Sequence, residues 1–578
     1  MEPSTQGGTQ PLAVPGPDPS WPGSSGIALW GPRLLLIAAA FVLLFARLGE
    51  RGLLETSEAR YAETAREMLL SGDWITPRYF GVKHFHKPPL TYWITAAGYS
   101  LIGVNELGAR LFLAVAGLAI LILVWYLGRL WWDEATGLLA AAILLTSPLF
   151  TAFARLLTTD LYLTLATAAA IAGFATGHTG RRPGYLVMWA AMGAGFLLKG
   201  PVAPILVLLS IIPFLAVRRE LARWREMYPF RGFALMLAIA APWFVAVCLR
   251  NPGLFTQLVY FETWQRVTTT VHGRPGPWYY FIGVFLAGFF PWVLFVPATV
   301  RGLLDAPRHD RPGAEALCAA WFALPFLMFS ASKSKLIAYI LPLLPAAALL
   351  VARWCMRALK QPPPRVATFP VAAGSALSMA GVAFALHVVQ PAAVEAIELH
   401  LMAFYPALAF LLLCAHRAER AQRARPLLMG AFVLAAVFPA LVAPFADEME
   451  GDFKSFRPLA MAIRESAPAT APVVLCRLAA TSVPFYLGRP VHTFEAGLDL
   501  KYETDRSRQE EWHTDDMARL LKLLEERPAF VVADDETRLR IDRARWPARR
   551  ERLRILARFR RHLLLTNQPP AASAQQVR

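Results

Sequence analysis

The chain has 578 residues, of which 56% are hydrophobic and only 17% charged, and its mean hydropathy is +0.41. This composition excludes an ordinary soluble globular protein, and repeated apolar runs of about twenty residues predict a polytopic α-helical membrane protein. The net charge of +17 does not call for a nucleic acid partner, because membrane proteins gather positive charge in their cytoplasmic loops.

The chain begins with a polar segment and then becomes apolar. Residues 1–26 are rich in Pro, Gly, Ser and Thr, which predicts a disordered cytoplasmic tail. The first apolar span is predicted to be a retained anchor, because no short hydrophobic region with a small-residue cleavage site is found there. A transmembrane domain of about thirteen helices is predicted over 27–446. Its predicted spans are 28–48, 107–129, 134–153, 160–177, 184–199, 201–217, 231–249, 278–300, 314–331, 336–354, 367–389, 398–415 and 427–446.

The segment 50–106 is the first long polar stretch between two spans, and we predict that it contains two surface helices. The first can be capped by Thr56 or Ser57 and is ended by the Ser-Gly-Asp sequence at 71–73. Its apolar face is predicted to hold Tyr61, Ala65, Met68 and Leu69, and its polar face Arg60, Glu63 and Glu67. The second is the apolar but short stretch 88–104.

The basic residues of the connecting loops predict the orientation. With the N-terminus in the cytoplasm, the inside loops carry Arg181, Arg182, Arg218, Arg219, Arg223, Arg225, Arg308, Arg311, Arg357, Lys360, Arg417, Arg420, Arg423 and Arg425. This is a positive-inside bias, and counting 88–104 as a span would reverse it for several loops. The periplasmic side then receives 50–106, 155–160, 199–201, 250–277, 332–335 and everything after 447.

Residues 447–568 are predicted to form a small periplasmic α/β domain, followed by a disordered tail at 569–578. The sequences APVVLCRL and PAFVVADD predict buried strands, and HTDDMARLLKLLEERP predicts a helix that ends before Pro528. The basic stretch ERLRILARFRRHLLL predicts a terminal helix or strand of this domain, with membrane-surface contact as the alternative.

The candidate functional residues lie on the predicted periplasmic side. Asp160, at the start of a span, is either a helix cap or an acid that orients or deprotonates an acceptor. Lys87, before a rigid Pro-Pro pair, is a candidate phosphate ligand. Lys199 either snorkels to the membrane surface or contributes to the same anion pocket. A third cationic turn holds Lys333 and Lys335, with Tyr339 one helical turn further on.

The loop 250–277 adds further polar candidates. Its polar residues are Glu262, Arg266, His272 and Arg274, and an aromatic belt follows at Trp278, Tyr279 and Tyr280. Arginine is the better bidentate phosphate ligand. The sequence gives His272 no histidine partner at metal-ligand spacing, and the five scattered cysteines are interpreted as small buried hydrophobic residues. We predict no metal site and no cofactor, since a divalent metal has no support in these motifs.

Six motifs, taken together, resemble a known family. In order they are SEARYAETAREMLLSGDW, FHKPPLTYW, TTDLYL, LLKGP, FETWQR with the following HGRPGPWYYF, and SKSKLIAYILP. This series resembles the GT-C glycosyltransferases that use a polyprenyl-phosphate sugar donor, above all the lipid A aminoarabinose transferases and bacterial protein-mannosyltransferase-like enzymes. The resemblance covers 45–350 and is only architectural beyond 360. It implies a GT-C type fold with a periplasmic active site and inverting transfer of a sugar from undecaprenyl phosphate.

The resemblance also implies roles for individual residues. Asp160 matches the acid of the family's second outer loop, and Lys87 matches the lysine of its Lys-Pro motif. Four residues match positions near the donor phosphate, and they are Arg266, Lys333, Lys335 and Tyr339. The chain departs from the family pattern at Ser57, where an acid is usual, and at His86, which replaces a glutamate. Glu58 is then the candidate to share the role of the acid with Asp160, with Ser57 as a hydrogen-bonding or capping residue; the remaining pocket candidates are Arg60, Tyr61, His86, Lys199, Glu262, His272 and Arg274.

The sequence thus predicts a bacterial inner-membrane glycosyltransferase. Its partners would be a polyprenyl-phosphate sugar donor, membrane lipid and an acceptor that is lipid A, another envelope glycan or a protein. Three alternatives stay open, namely a protein O-glycosyltransferase of the same superfamily, a transporter of polyprenyl-linked sugars and a non-catalytic relative. Against a transporter, the sequence has no inverted hydropathy repeat.

Overall fold

The computed structural model describes residues 30–55, 57–256, 258, 276–305, 313–360, parts of 410–435, 455–497, 512–545, 553–559 and 561–568. Its internal contacts divide the chain into two compact units. The helical unit contains the chain up to Leu48, His86–Thr91 and Arg110–Glu448. The α/β unit contains Gly49–Phe85, Tyr92–Ala109 and the chain from Met449 onward. The predicted terminal tails and the predicted span at 367–389 lie outside the described residues.

The helices with both ends defined are, in chain order, α1 (Trp30–Phe45), α2 (Ser57–Ser71), α3 (Leu90–Ile102), α4 (Glu106–Trp131), α5 (Glu134–Leu145), α6 (Pro148–Phe153), α7 (Thr159–His178), α8 (Gly184–Lys199), α9 (Val202–Val217), α10 (Pro229–Arg250), α11 (Tyr280–Gly288), α12 (Val296–Asp305), α13 (Gly313–Ala331), α14 (Leu344–Lys360), α15 (Arg457–Ser466), α16 (Ser482–Leu487), α17 (Met517–Glu526) and α18 (Asp535–Arg545). A helical turn also covers Leu254–Thr256, and 3₁₀ turns cover Leu221–Met227, Trp292–Phe295 and Ile337–Leu343. The strands are β1 (Arg78–Tyr79), β2 (Val82–Lys83), β3 (Val473–Cys476), β4 (His492–Phe494), β5 (His513–Thr514), β6 (Phe530–Asp534), β7 (Arg554–Phe559) and β8 (His562–Thr566).

Five helical segments of the described chain are long and apolar enough to cross a membrane. They are Glu106–Trp131, Thr159–His178, Pro229–Arg250, Gly313–Ala331 and Ile337–Lys360. A sixth results if Tyr280–Gly288 and Trp292–Asp305, which meet at 109°, count as one broken span. Four shorter apolar helices, α1, α5, α8 and α9, coincide with further predicted spans. The helical membrane architecture is therefore confirmed, and the total of about thirteen spans stays a prediction.

Two spans that the hydropathy predicts as continuous are broken in the structure. The predicted span 134–153 divides into α5 and α6, and the second helix begins at Pro148. The predicted span 278–300 bends between α11 and the turn that begins after Pro291. Proline has no backbone N–H to donate to the preceding turn, so a helix ends or bends there while the hydropathy stays high. The stretch 88–104 forms the separate thirteen-residue helix α3, as predicted.

Helices α7 and α8 form a tightly packed antiparallel hairpin because glycines lie along their contact. A Cβ added to Gly173 would meet the Met188 backbone nitrogen at 2.6 Å, and one added to Gly184 would meet the Gly173 carbonyl oxygen at 2.6 Å. Small residues of this kind let two helix backbones approach closely in a membrane. Since the connecting turn joins the end of α7 to the start of α8, the hairpin places the first turn of α7 beside the last turn of α8.

Helix α2 of the α/β unit begins at Ser57 and ends at Ser71, followed by Gly72 in the left-handed conformation at φ +68°, as predicted. Part of its charged surface is buried. Glu63 is 0% exposed and Arg66 is 5% exposed, and the guanidinium donates two hydrogen bonds of 2.7 Å to the carboxylate. The hydropathy pattern misses this because a bidentate ion pair can be buried where a lone charge cannot.

The C-terminal part of the α/β unit contains a six-stranded sheet of order β5-β4-β3-β6-β8-β7. Strands β3, β4, β5 and β6 are parallel, and the β7–β8 hairpin joins them antiparallel. Successive residues of β3 and β6 pack into hydrophobic clusters on opposite faces of the sheet, so both faces are covered. The two predicted strands and the helix before Pro528 are confirmed, and the basic C-terminal stretch takes its strand alternative as β7 and β8.

The first polar segment packs with this sheet in the same unit, which the sequence did not predict. The buried Glu55 carboxylate accepts hydrogen bonds from Thr481 Oγ1 at 2.6 Å and from the Ser482 backbone nitrogen at 2.6 Å. The His513 ring lies 2.8 Å, Nε2 to oxygen, from the Phe80 carbonyl. The residues in these contacts lie 426 and 433 positions apart, so no local sequence pattern predicts that they meet.

Candidate active site

An ion pair joins the two helices of the glycine-packed hairpin at the end opposite its connecting turn. Asp160 lies in the first turn of α7, and Lys199 is the last residue of α8. Their Oδ1 and Nζ atoms are 2.5 Å apart, and the side chains are 14% and 11% exposed. The small residues along α7 and α8 therefore bring together two charged groups that lie 39 residues apart.

This contact identifies a side-chain partner for each of the two residues. The N-cap of α7 is Thr158, which makes no side-chain capping hydrogen bond, so Asp160 is an ion-paired acid rather than a cap. The Lys199 ammonium is bound by that acid and lies 4.6 Å from the centre of the Tyr339 ring. A cation over an aromatic face is attracted by the negative face of the ring. Tyr339, a predicted pocket residue, thus belongs to this cluster.

A threonine pair brings the Lys-Pro-Pro segment to the same place. The Thr91 hydroxyl donates a buried hydrogen bond of 3.1 Å to the Thr159 hydroxyl, next to Asp160. Residues 86–91 belong to the helical unit although their neighbours on both sides do not. Both threonines lie within the sequence motifs, but no local pattern predicts a contact between residues 68 positions apart.

A cavity of about 630 Å³ opens beside this cluster, within the helical unit. Its polar lining comes from His86, Lys87 and Lys199. Its other described lining residues are Pro88, Phe196, Gly200, Pro201, Met236, Leu237, Ala240, Ala241, Phe244, Val245, Cys248, Leu249, Phe255 and Leu258. Helix α10 provides most of this apolar wall, which the sequence predicted only as an unspecified groove between spans.

The two lysines of the Ser-Lys-Ser-Lys turn differ in their exposure to solvent. Lys333 is exposed, whereas Lys335 is 5% exposed and donates hydrogen bonds to the carbonyl oxygens of Phe329, at 3.0 Å, and Ser330, at 2.5 Å. A lysine at this position satisfies carbonyl groups that the last turn of a helix leaves without intrahelical partners. In this structure Lys335 therefore binds the end of α13.

The predicted site residues Ser57, Glu58, Arg60 and Tyr61 lie in the α/β unit. The Glu58 carboxylate is 1% exposed, accepts a hydrogen bond of 3.0 Å from the Leu54 backbone nitrogen and lies 3.2 Å from the Arg51 guanidinium. Ser57 and Arg60 are half-buried, and the Tyr61 ring centre is 5.6 Å from that of Tyr92. The described contacts of Glu58 hold the chain that enters α2.

A buried carboxylate with a shifted pKa also lies on α2. Burial, followed by repulsion from Glu63, raises the pKa of Glu67 to about 8. Both oxygens of Glu67 accept the Gly81 backbone N–H at 3.1 Å, which opposes the shift. Burial also raises the pKa of Glu63, against the opposing hydrogen bonds from Arg66. The Glu67 carboxylate thus holds the turn of the β1–β2 hairpin, which precedes the Lys-Pro-Pro segment in the chain.

Four predicted site residues of the 250–277 loop lie outside the described residues, namely Glu262, Arg266, His272 and Arg274. Within the described part of the chain, no three His, Cys, Asp or Glu side chains are grouped so that they could hold a metal ion.

The arrangement suits an amphiphilic anion. Two lysines at the end of an apolar cavity can bind a phosphate while the cavity accepts a hydrocarbon chain. The acid beside them can accept a proton or a hydrogen bond from a second reactant.

Comparison with known proteins identifies a matching family profile and several similar enzymes. Residues 86–245 match the sequence profile described as dolichyl-phosphate-mannose-protein mannosyltransferase. An undecaprenyl phosphate-alpha-4-amino-4-deoxy-L-arabinose arabinosyl transferase of Enterobacter sp. (strain 638) is 32% identical over 329 residues, which are 55% of this chain and 58% of the relative. An enzyme of the same name, numbered 2, from Sodalis glossinidius is 34% identical over 332 residues, 56% of this chain and 59% of the relative. The matches thus span about three-fifths of these relatives' length.

The fold likeness extends further than the sequence matches. The crystal structure of ArnT from Cupriavidus metallidurans bound to undecaprenyl phosphate superposes with a TM-score of 0.79 at 28% sequence identity. The superposition covers 93% of this chain and 98% of ArnT. The resemblance carried by the six sequence motifs is confirmed: residues 86–245 match the dolichyl-phosphate-mannose-protein mannosyltransferase profile, and the chain shares its fold with ArnT.

Proposed function

We propose that the chain is an inner-membrane glycosyltransferase that moves a sugar from undecaprenyl phosphate to an acceptor on the periplasmic side. The observation that carries the proposal is that Lys87 and Lys199 both line one largely apolar cavity, with Asp160 bound to Lys199. This arrangement matches a lipid-linked phosphate in both charge and hydrophobicity. The shared fold with a protein crystallised with undecaprenyl phosphate supports the same donor.

In the proposed reaction, an acceptor oxygen attacks C1 of the donor sugar as the bond between C1 and the phosphate oxygen breaks. The bonding electrons leave with undecaprenyl phosphate, and Asp160 receives or orients the acceptor proton. Lys87 and Lys199 stabilise the charge that develops on the leaving phosphate. Because a phosphate competes for Lys199, donor binding frees Asp160 from its ion pair. Attack opposite the leaving group gives inversion at C1.

The remaining predicted residues complete this proposal. Arg266, Lys333 and Tyr339 contribute to donor phosphate binding, and Lys335 does so on leaving its helix-end contacts. Ser57 and Glu58 support the acceptor side. The N-terminus is cytoplasmic, and the C-terminal domain is periplasmic, as the loop charges predict.

The preferred acceptor is lipid A or another envelope glycan, in keeping with the names of the curated relatives. A protein hydroxyl is the second candidate, because the matching family is described as protein mannosyltransferases. Both acceptors present an oxygen nucleophile, so the proposed roles of the site residues do not change.

The test is mass spectrometry of lipid A and of polyprenyl-linked sugars from host cells that carry the native chain, the Asp160→Asn variant or a deletion. We expect one sugar to disappear from lipid A in both altered strains while its undecaprenyl-phosphate form accumulates. Accumulation with unchanged lipid A would move the acceptor to another glycan or to protein. No change in either pool would refute the transferase and favour a non-catalytic relative. A transporter would instead move the donor without releasing free undecaprenyl phosphate.

A further inference from the structure

Lys87, one of the two lysines that line the cavity, lies in a segment without helix or strand structure. The segment precedes α3, which begins at Leu90. A long side chain can take many positions unless the backbone that carries it is fixed. The proposed site needs Lys87 to be fixed, because the second lysine, Lys199, is already held by Asp160 at 2.5 Å.

The sequence stiffens the chain on the C-terminal side of Lys87, where Pro88 and Pro89 follow it. A proline ring holds φ at about −65° and restricts the preceding residue to extended conformations. Leu90 and Thr91 then belong to the first turn of α3 and have helical geometry. Few soft dihedral angles are left between Lys87 and Thr91, so a contact that holds Thr91 also limits where the Lys87 backbone can lie.

Thr91 is held by a residue next to the ion pair. Its hydroxyl donates a hydrogen bond of 3.1 Å to the hydroxyl of Thr159, which is the first residue of α7 and the neighbour of Asp160. The two threonines are 0% and 1% exposed. Threonine is branched at Cβ and has few χ1 rotamers, so both hydroxyls have defined directions. Because a hydrogen bond is directional, it fixes the two segments more narrowly than apolar packing does.

We propose that Thr91 and Thr159 are positioning residues of the donor-phosphate site, which place Lys87 within reach of the phosphate that Lys199 also binds. This inference rests on the proposed function and specifies how its donor site is assembled. The threonines act through the Lys-Pro-Pro backbone on the lysine rather than by touching the phosphate.

The test measures the binding of undecaprenyl phosphate to the purified full-length chain in lipid nanodiscs. Valine has the shape of threonine without the hydroxyl, so Thr91→Val and Thr159→Val each remove the hydrogen bond. We expect each variant, and the double variant, to bind about three- to tenfold more weakly, approaching the loss expected of Lys87→Ala. Thr91→Ser and Thr159→Ser keep the hydroxyl and should bind with the native affinity.

The double valine variant also separates binding from stability. An apolar pair of the same shape can replace a hydrogen-bonded pair at little cost in folding free energy. We therefore expect the double variant to unfold at the native temperature in nanodiscs while it binds undecaprenyl phosphate more weakly. Thr167→Val is the matched control, since Thr167 is a fully buried threonine of α7 whose hydroxyl donates to the Leu163 carbonyl at 2.9 Å. It should keep the native affinity.

A double-mutant cycle separates positioning from a merely structural role. A Lys87→Ala chain has no Lys87 ammonium left to place, so the two valine substitutions should cause no further loss of affinity in it. A loss as large in that chain as in the native one would overturn the inference, because the threonines would then act by another route. Native affinity of the double valine variant would also overturn it, and both results leave the proposed function intact. If undecaprenyl phosphate does not bind the native chain, the proposed function fails and the inference fails with it.

Discussion

At the scale of single residues, the proposed function depends on a few charged groups, and the ion pair among them joins two helices. Asp160 and Lys199 are each about nine-tenths withdrawn from solvent, by side-chain exposures of 14% and 11%. Charges at that depth are stable only in a pair, because the loss of one partner leaves the other poorly solvated. The pair therefore serves the stability of the hairpin as well as the proposed reaction.

We predict that Lys199→Gln lowers the stability of the protein by about 2 kcal/mol, the order expected when a hydrogen bond between charged groups is lost. Asp160→Asn should do the same, and the double variant should recover most of the loss because two amides can hydrogen-bond without net charge. Thermal unfolding of the four proteins in nanodiscs measures this. If the double variant loses as much as the two single variants combined, the pair is not coupled.

A second residue-scale prediction concerns Lys87. Lys87→Ala should weaken undecaprenyl phosphate binding about tenfold, because a charge-assisted hydrogen bond contributes roughly 1.5–3 kcal/mol. Lys522→Ala is the matched control, since that side chain is 75% exposed on α17. Equal affinities of the native and Lys87→Ala chains would remove Lys87 from the donor site.

At the scale of elements, buried carboxylates tie α2 to the β1–β2 hairpin. The folded-state pKa of Glu67 is raised to about 8 from 4.5, so the folded chain holds its proton more tightly than the unfolded chain does. The resulting stabilisation is fully present below pH 4.5 and is lost as the pH rises through about 8. The raised pKa of Glu63 acts in the same direction.

The corresponding prediction is that native stability falls as the pH rises from 4.5 to about 8, and that Glu67→Gln reduces this fall. Glutamine resembles the protonated acid and keeps an oxygen that can accept the Gly81 N–H. Unfolding temperatures over this pH range test the point, with Glu526→Gln as a control because its side chain is 55% exposed. An unchanged slope in Glu67→Gln would mean that this carboxyl is not the titrating group.

Local sequence patterns predict where helices and strands lie better than they predict where a helix is broken. The starts and ends of α2, β3, β6 and α17 follow from turn residues and apolar runs, which act over a few positions. The breaks at Pro148 and Pro291 are missed because hydropathy averages over a window longer than one residue. The burial of Glu63 is missed because its cause is a bidentate partner rather than the hydropathy pattern.

At the scale of the whole molecule, the motifs predict the composition of the site, and tertiary contacts determine which residues meet. Lys87, Lys199, Asp160 and Tyr339 come from four separate motifs, and the structure associates all four with one cavity and its adjoining cluster. The packing of the first polar segment with the C-terminal sheet depends on long-range hydrogen bonds such as those of Glu55, which composition and periodicity do not encode.

The loop charges also make a prediction at this scale. A reporter fused after the α/β domain should behave as periplasmic, so that alkaline phosphatase is active there and a fluorescent protein that matures only in the cytoplasm stays dark. The same reporters fused after Arg182, in a basic connection, should give the opposite result. Reversed signals at both positions would invert the proposed topology.

The most direct test of the central claim is the release of undecaprenyl phosphate by the purified chain in nanodiscs. The reaction receives lipid A and both the arabinose and 4-amino-4-deoxyarabinose donors, so its outcome does not depend on whether the donor sugar carries an amine. We predict release that requires lipid A and is at least about a hundredfold slower in Asp160→Asn, the range expected for loss of a general base. Asp515→Asn, at an exposed position, should match the native rate. Release at the native rate by Asp160→Asn, or no release by the native chain, would contradict the account.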